Sequence, residues 1–184
     1  SDFTIEDISL GDSLLDYMTE DEILEEIEET KHLFSHLKEP NKYAYIRFNG
    51  NPTTYDSIDF IIKNNAVNKY VGNKNEKYII LYVAGHISYI DDFTNCIQER
   101  DEVAKVLSIM FSDAQKTENA YKDPEDPSGN SIRDEIDFSF ASGAEIEAEC
   151  ADFDETYRLK NNRGEGLLVS ISHEKIIIWL YDRK

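Results

Sequence analysis

Basic side chains are scarce in this chain. Lys and Arg together number 19 against 38 Asp and Glu, a formal net charge of −19. A surface of that sign repels phosphate, which excludes nucleic acid and anionic membrane as direct partners. Proline (4) and glycine (8) are also few, so collagen-like and linker-like chains are excluded. The longest uncharged, mostly apolar run is Tyr78 to Ile90, short of the roughly 18–20 residues a bilayer span needs, and no membrane insertion is expected. No signal peptide is seen, but the chain begins Ser1-Asp2-Phe3 without an initiator Met, so removal of an upstream segment is expected. Catalytic signatures are missing too: there is no G-x-S-x-G, no P-loop and no HExxH. Gly164-Glu165-Gly166 lacks the third glycine of a dinucleotide fingerprint. The expectation therefore leans away from an enzyme.

What is present suits a folded domain. The 184 residues are 40% hydrophobic and 11% aromatic, and a chain of this size buries roughly 70% of its unfolded surface. Thr19 and Glu22 form a T-x-x-E capping box. Ile23, Ile27, Leu33, Phe34 and Leu37 then fall near helical spacing, and Pro40 stops the run, which predicts a helix over about 20–38. A shorter helix, capped by Asp12 or Ser13, is expected to run through Met18. Strands are predicted at Tyr43–Phe48, Tyr55–Lys63 and Lys77–Ile90, with Gly85 marking a bulge or bend in the third. A helix over about 92–111 carries the stripe Phe93, Cys96, Ile97, Val103, Leu107, Met110 and Phe111. The segment from Asp113 to Ser131 is polar and reads as a long loop.

The hairpin that follows is the clearest local signal. Ile136 and Phe138 alternate with Glu135 and Asp137, and Ile146, Ala148 and Cys150 alternate with Glu147 and Glu149. A three-residue loop, Ala141-Ser142-Gly143, sets Phe138 opposite Ile146 and keeps both apolar sets on one face, with Gly143 at the left-handed position. A strand over 167–171 comes last. Ser172 caps a final helix over 173–181, although Ile176-Ile177-Ile178 also suits a strand. The fold class is α+β: antiparallel sheet with helices packed on one face, in a single domain of two α-then-β halves near 12–90 and 92–172.

Four constellations bear on function. Cys96 sits on the apolar stripe of the second long helix and Cys150 on the apolar face of the hairpin. They form a disulfide in an exported protein, stay as buried free thiols, or react as a pair. In the hairpin register Asp137 lies opposite Glu147 and Glu135 opposite Glu149. Like charges directly across a pair repel; a solvated face in a salt-adapted protein is the favoured reading, and a divalent cation or a basic partner that offsets them is the alternative. Asp123, Glu125 and Asp126 surround a glycine-bearing loop and offer oxygen ligands for Ca²⁺, without the EF-hand order. His32 and His36 are four apart, a metal-binding spacing without an evident third ligand; His86 and His173 stand alone. Tyr43, Tyr45, Tyr78, Tyr82 and Tyr89 line a groove or serve ordinary sheet packing, the second being favoured.

The run Ile8-Ser9-Leu10-Gly11-Asp12-Ser13-Leu14-Leu15-Asp16-Tyr17 and the loop Asp126-Pro127-Ser128-Gly129-Asn130-Ser131 resemble those of an uncharacterised family of small exported proteins from marine bacteria, whose cysteines lie where Cys96 and Cys150 stand. Ser170-Ile171-Ser172-His173 departs from that family's Asp-Thr helix cap. The resemblance implies export, high salinity and, with them, the disulfide; it implies no catalytic residue. A looser architectural similarity is to β-lactamase-inhibitor-like folds and outer-membrane-assembly lipoproteins. The reading reached is an exported, periplasmic binding or interaction domain without catalytic activity or cofactor, whose partner is a protein or a cation. The alternatives are a hydrolase or metal-dependent enzyme with a dispersed site, a Ca²⁺-stabilised structural protein, and a cytoplasmic location.

Overall fold

The computed structural model describes residues 3–67 and 72–184. The fold is α+β. Among the described residues there are four α-helices and seven strands. They fall into two compact units. One runs from Phe3 to Gly85 and takes back Ile171–Lys184; the other is His86–Ser170.

In the first unit Ser13 caps a 3-10 turn over Leu14–Asp16, with Leu14 fully buried; this one turn stands where a short helix through Met18 was expected. The capping box closes as the sequence predicts: Thr19 accepts from the Glu22 amide and the Glu22 carboxylate accepts from the Thr19 amide. Such a cap contributes about 1 kcal/mol. It opens α1, Glu20–Thr30, which turns Ile23 and Ile27 inward and packs on β1. The helix stops eight residues before the predicted end. Thr30 and Lys31 occupy the next positions of the inward stripe, and the Thr30 hydroxyl is 2.6 Å from the Tyr45 carbonyl. Residues 31–36 are turns closed by bonds such as Leu33 N to Thr30 O and Leu37 N to Phe34 O. These turns bring Phe34 onto the ring of Trp179, centroids 4.6 Å apart.

Strands β1 (Tyr43–Arg47) and β2 (Ser57–Lys63) are antiparallel, with Tyr43 facing Lys63 and Arg47 facing Asp59. β3 (Ile80–Ser88) lies next to β2. Ile46, Ile58, Phe60, Ile62 and Ile80 form the buried centre. Gly85 answers a close approach: an added Cβ would lie 2.4 Å from the ring of Tyr55. The last helix, α4 (Glu174–Tyr181), belongs to this unit. Its cap is His173, whose Nδ1 accepts from the Lys175 amide, and not Ser172. Trp179 donates from Nε1 to the Glu39 carbonyl at 2.8 Å.

The second unit contains α2 (Phe93–Met110), β4 (Gln115–Lys122), β5 (Ile132–Ser139), β6 (Glu145–Asp152) and α3 (Glu155–Asn161). β7 (Gly166–Ser172) follows, and the strand order here is β7-β6-β5-β4. The hairpin register is the predicted one: Phe138 faces Ile146, Ile136 faces Ala148, and Gly143 has φ +83°. α2 packs on β6 through Cys96, Arg100, Ala104 and Leu107. The observed inward stripe is narrower than the predicted one, and Met110 is exposed. The segment from Asp113 to Ser131 is not a loop throughout. Eight of its residues form β4, paired antiparallel to all of β5, with nearly every side chain exposed. Asp154 begins the short α3 by accepting from the Tyr157 amide.

Candidate functional site

Cys96 and Cys150 are bridged, with their Cα atoms 6.0 Å apart and both residues buried. The bridge fastens α2 to the inner face of the hairpin. Beside it Arg100, also buried, donates from Nη1 to the Asp134 carbonyl at 3.1 Å and pairs with the Asp134 and Asp101 carboxylates.

The opposite face of the hairpin carries the acidic set. Asp137 stands directly across from Glu147, and Glu135 across from Glu149. Glu149 is buried; Glu135, Asp137 and Glu147 are half-buried. One guanidinium answers them. Arg133 donates from Nη1 to Glu149 at 2.8 Å and from Nε to Asp123 at 2.9 Å, while its plane lies over the Phe153 ring. Tyr121, on β4, donates its hydroxyl to Glu135 at 3.1 Å. Asp123 is also buried, so Arg133 is committed to two carboxylates, and no ion pair to Asp137 or Glu147 is seen among the described residues.

Protons make up the difference. Burial, and then the charges of Glu149, Asp137 and Glu135, push the Glu147 carboxyl up to about 8. Burial, with Glu135, Glu145 and Glu149, pushes Asp137 up to about 6. Burial also raises Glu149, against the pull of Arg133. At neutral pH the face therefore holds Glu147 largely protonated, because desolvation and like charge both disfavour its ionised form.

The loop carboxylates are engaged internally. Asp123 Oδ1 accepts from the Glu125 amide at 2.8 Å, and Glu125 pairs with Arg163. Asp126 accepts from the amides and hydroxyls of Ser128 and Ser131. Burial opposes its charge, but those bonds outweigh it and draw its carboxyl down to about 2. His32 and His36 lie on exposed turns beyond the end of α1, not on the long helix that would have set their spacing. His173 is a helix cap, and His86 is half-buried in β3. Among the described residues no group of three or more His, Cys, Asp or Glu is placed to hold a metal ion. Tyr43 packs edge-on against Trp179 at 5.1 Å, and Tyr78 is buried with its hydroxyl donating to Glu20. A shallow cavity of about 560 Å³ in the first unit is lined by Leu15, Tyr17, Met18, Glu20, Lys74 and Lys77, among others.

Sequence reasoning did not find Arg100, Arg133 or the burial of Asp123. Arg133 does alternate with Glu135 and Asp137 along one strand face, and that was the available signal. No helix among the described residues is long and apolar enough to cross a membrane. No protein-family model matches the chain, and no curated protein or solved structure is significantly similar to it.

Proposed function

We propose that the chain is a binding module whose contact surface is the acidic face of the β5–β6 hairpin and whose partner is cationic. The observation that carries this is the pairing of Asp137 with Glu147 and of Glu135 with Glu149 across one sheet face, where among the described residues Arg133 is the one guanidinium, shared between Glu149 and Asp123. A face with this surplus of half-buried carboxylates is costly to the free protein. A lysine or arginine placed over it would relieve the repulsion and release the proton from Glu147. A binding domain gains affinity and selectivity for positive partners from such a face. Export belongs to the same reading, supported by the buried Cys96–Cys150 bridge, since such bridges persist in oxidising compartments.

The test separates this face from the general acidity of the chain. Binding of an oligolysine is measured for Glu135→Gln/Asp137→Asn and for Glu25→Gln/Glu102→Gln, which removes two exposed carboxylates elsewhere. The first variant is expected to weaken binding and reduce proton release, the second to change neither. Equal effects of the two would refute the proposal.

A further inference from the structure

We infer that the outer edge of β4 takes a cationic, extended peptide segment as an additional strand, with lysine or arginine side chains crossing Thr117 and Asn119 to reach Asp137 and Glu135. This rests on the acidic-face reading and names its partner.

β4 ends the strand order of its unit and, among the described residues, pairs with β5 alone. In an antiparallel pair alternate residues turn their N–H and C=O groups away from the neighbour, so one side of β4 presents an unpaired ladder. The strand is eight residues long, has no proline, and its register with β5 runs unbroken from Gln115 opposite Ser139 to Lys122 opposite Ile132. Edges that are long, regular in register and open in this way are templates for another strand. Its charges, Lys116, Glu118 and Lys122, fall on the alternate positions, away from the acidic face.

The side chains on the acidic side fix the partner's chemistry. Thr117 lies directly opposite Asp137 and Asn119 opposite Glu135, and directly opposed residues share a face. Both are short and uncharged. An added strand would lie about 5 Å beyond β4 and about 10 Å from β5. A lysine or arginine on it, laid flat across Thr117 or Asn119, spans that gap to a carboxylate. Anionic or apolar residues at the same positions would meet Asp137 and Glu135 without compensation. A second copy of this chain is disfavoured as the occupant, because two molecules of −19 would bring like-charged faces together.

The experiment uses an acetylated, amidated decapeptide of alternating Lys and Thr at about 0.15 M salt, where exposed long-range attraction is screened. A second peptide has the same sequence with every backbone nitrogen methylated, which keeps charge and removes strand pairing. Calorimetry gives affinity, and hydrogen exchange follows the amides of Gln115–Lys122. The expected result is slowed exchange in β4 with the first peptide, binding at least about tenfold weaker for the methylated one, and weaker binding by Glu135→Gln/Asp137→Asn. Equal binding of the two peptides with unchanged β4 exchange overturns this inference but leaves the acidic-face reading standing. Absence of binding by either overturns both. Self-association that protects β4 without any peptide overturns the choice of partner.

Discussion

Replacing Glu147 by Gln should stabilise this protein, by an amount that grows as pH rises from about 4.5 and levels off above about 8. In the unfolded chain the carboxyl titrates near 4.5, and in the folded protein at about 8. Between those values the folded state keeps a proton that the unfolded state has lost, so raising the pH favours unfolding. The sign is that of a group whose folded value is raised: its contribution is fully present below about 4.5 and lost as pH rises through about 8. The gap of about 3.5 units, at 1.36 kcal/mol each, corresponds to about 5 kcal/mol. Glu147 is half-buried, and water screens part of that, leaving about 2–4 kcal/mol. Gln has the shape of the protonated acid and no charge. Glu147→Gln is therefore expected to match the parent at pH 5 and to exceed it by about 2–4 kcal/mol at pH 9, or roughly 5–15 °C in Tm. Urea unfolding of both proteins at pH 5, 7 and 9 measures it. Asp137, raised to about 6, leaves a residual fall between pH 4 and 6 in both. Two stability curves that stay parallel across the whole range would refute the reasoning.

Three further outcomes follow from the same geometry. Removing the bridge with Cys96→Ala/Cys150→Ala opens a loop with a sequence separation of 54, which corresponds to about 4 kcal/mol of lost stability; unfolding free energies from urea melts that differ by under about 1 kcal/mol would contradict it. Arg133→Met strands the buried Asp123 and Glu149 carboxylates and should cost about 3–5 kcal/mol near pH 7; the loss should shrink in acid, where Glu149 takes up a proton. Millimolar Ca²⁺ at fixed ionic strength should leave Tm unchanged, because Asp123, Glu125 and Asp126 already face internal donors; a clear rise would show that the loop rearranges around the ion.

The hairpin was legible in the sequence because two independent constraints agree there. Alternation of Ile136, Phe138, Ile146 and Ala148 fixes which residues share a face, and Gly143 fixes the loop that brings them together. The reach of α2 was legible for a similar reason: Asp92 and Phe111 bound a long amphipathic run. β4 was not. An edge strand exposed on both sides has no apolar alternation to read, and its order comes from bonds to β5 that composition does not encode. α1 was overestimated because Leu33, Phe34 and Leu37 are spaced almost as a helix would space them, yet Phe34 and Leu37 pack in the cluster of Trp179 and not on the face of Ile23 and Ile27, and Leu33 is exposed. α3 is seven residues long and carries too few periods to announce itself. That α4 joins the first unit follows from burial of Ile176 and Trp179 among residues such as Leu37 and Tyr43, a long-range choice that local pattern does not contain. The acidic pairs were predicted from register alone. Their partial compensation was not, since it depends on Arg133 reaching across the sheet and on burial of carboxylates that a polar pattern would place in solvent.

The central claim is that the hairpin face holds more carboxylates than the protein neutralises, and stores the surplus as a proton on Glu147 until a cation arrives. A carboxyl-carbon NMR titration of Glu147 in the native protein tests it most directly. The account predicts a midpoint at about 8 in the free protein and a fall toward the ordinary carboxylate range when the alternating Lys-Thr peptide is added. A midpoint near 4.5 in the free protein would contradict it, because the face would then carry its charge without strain and have no need of a cation.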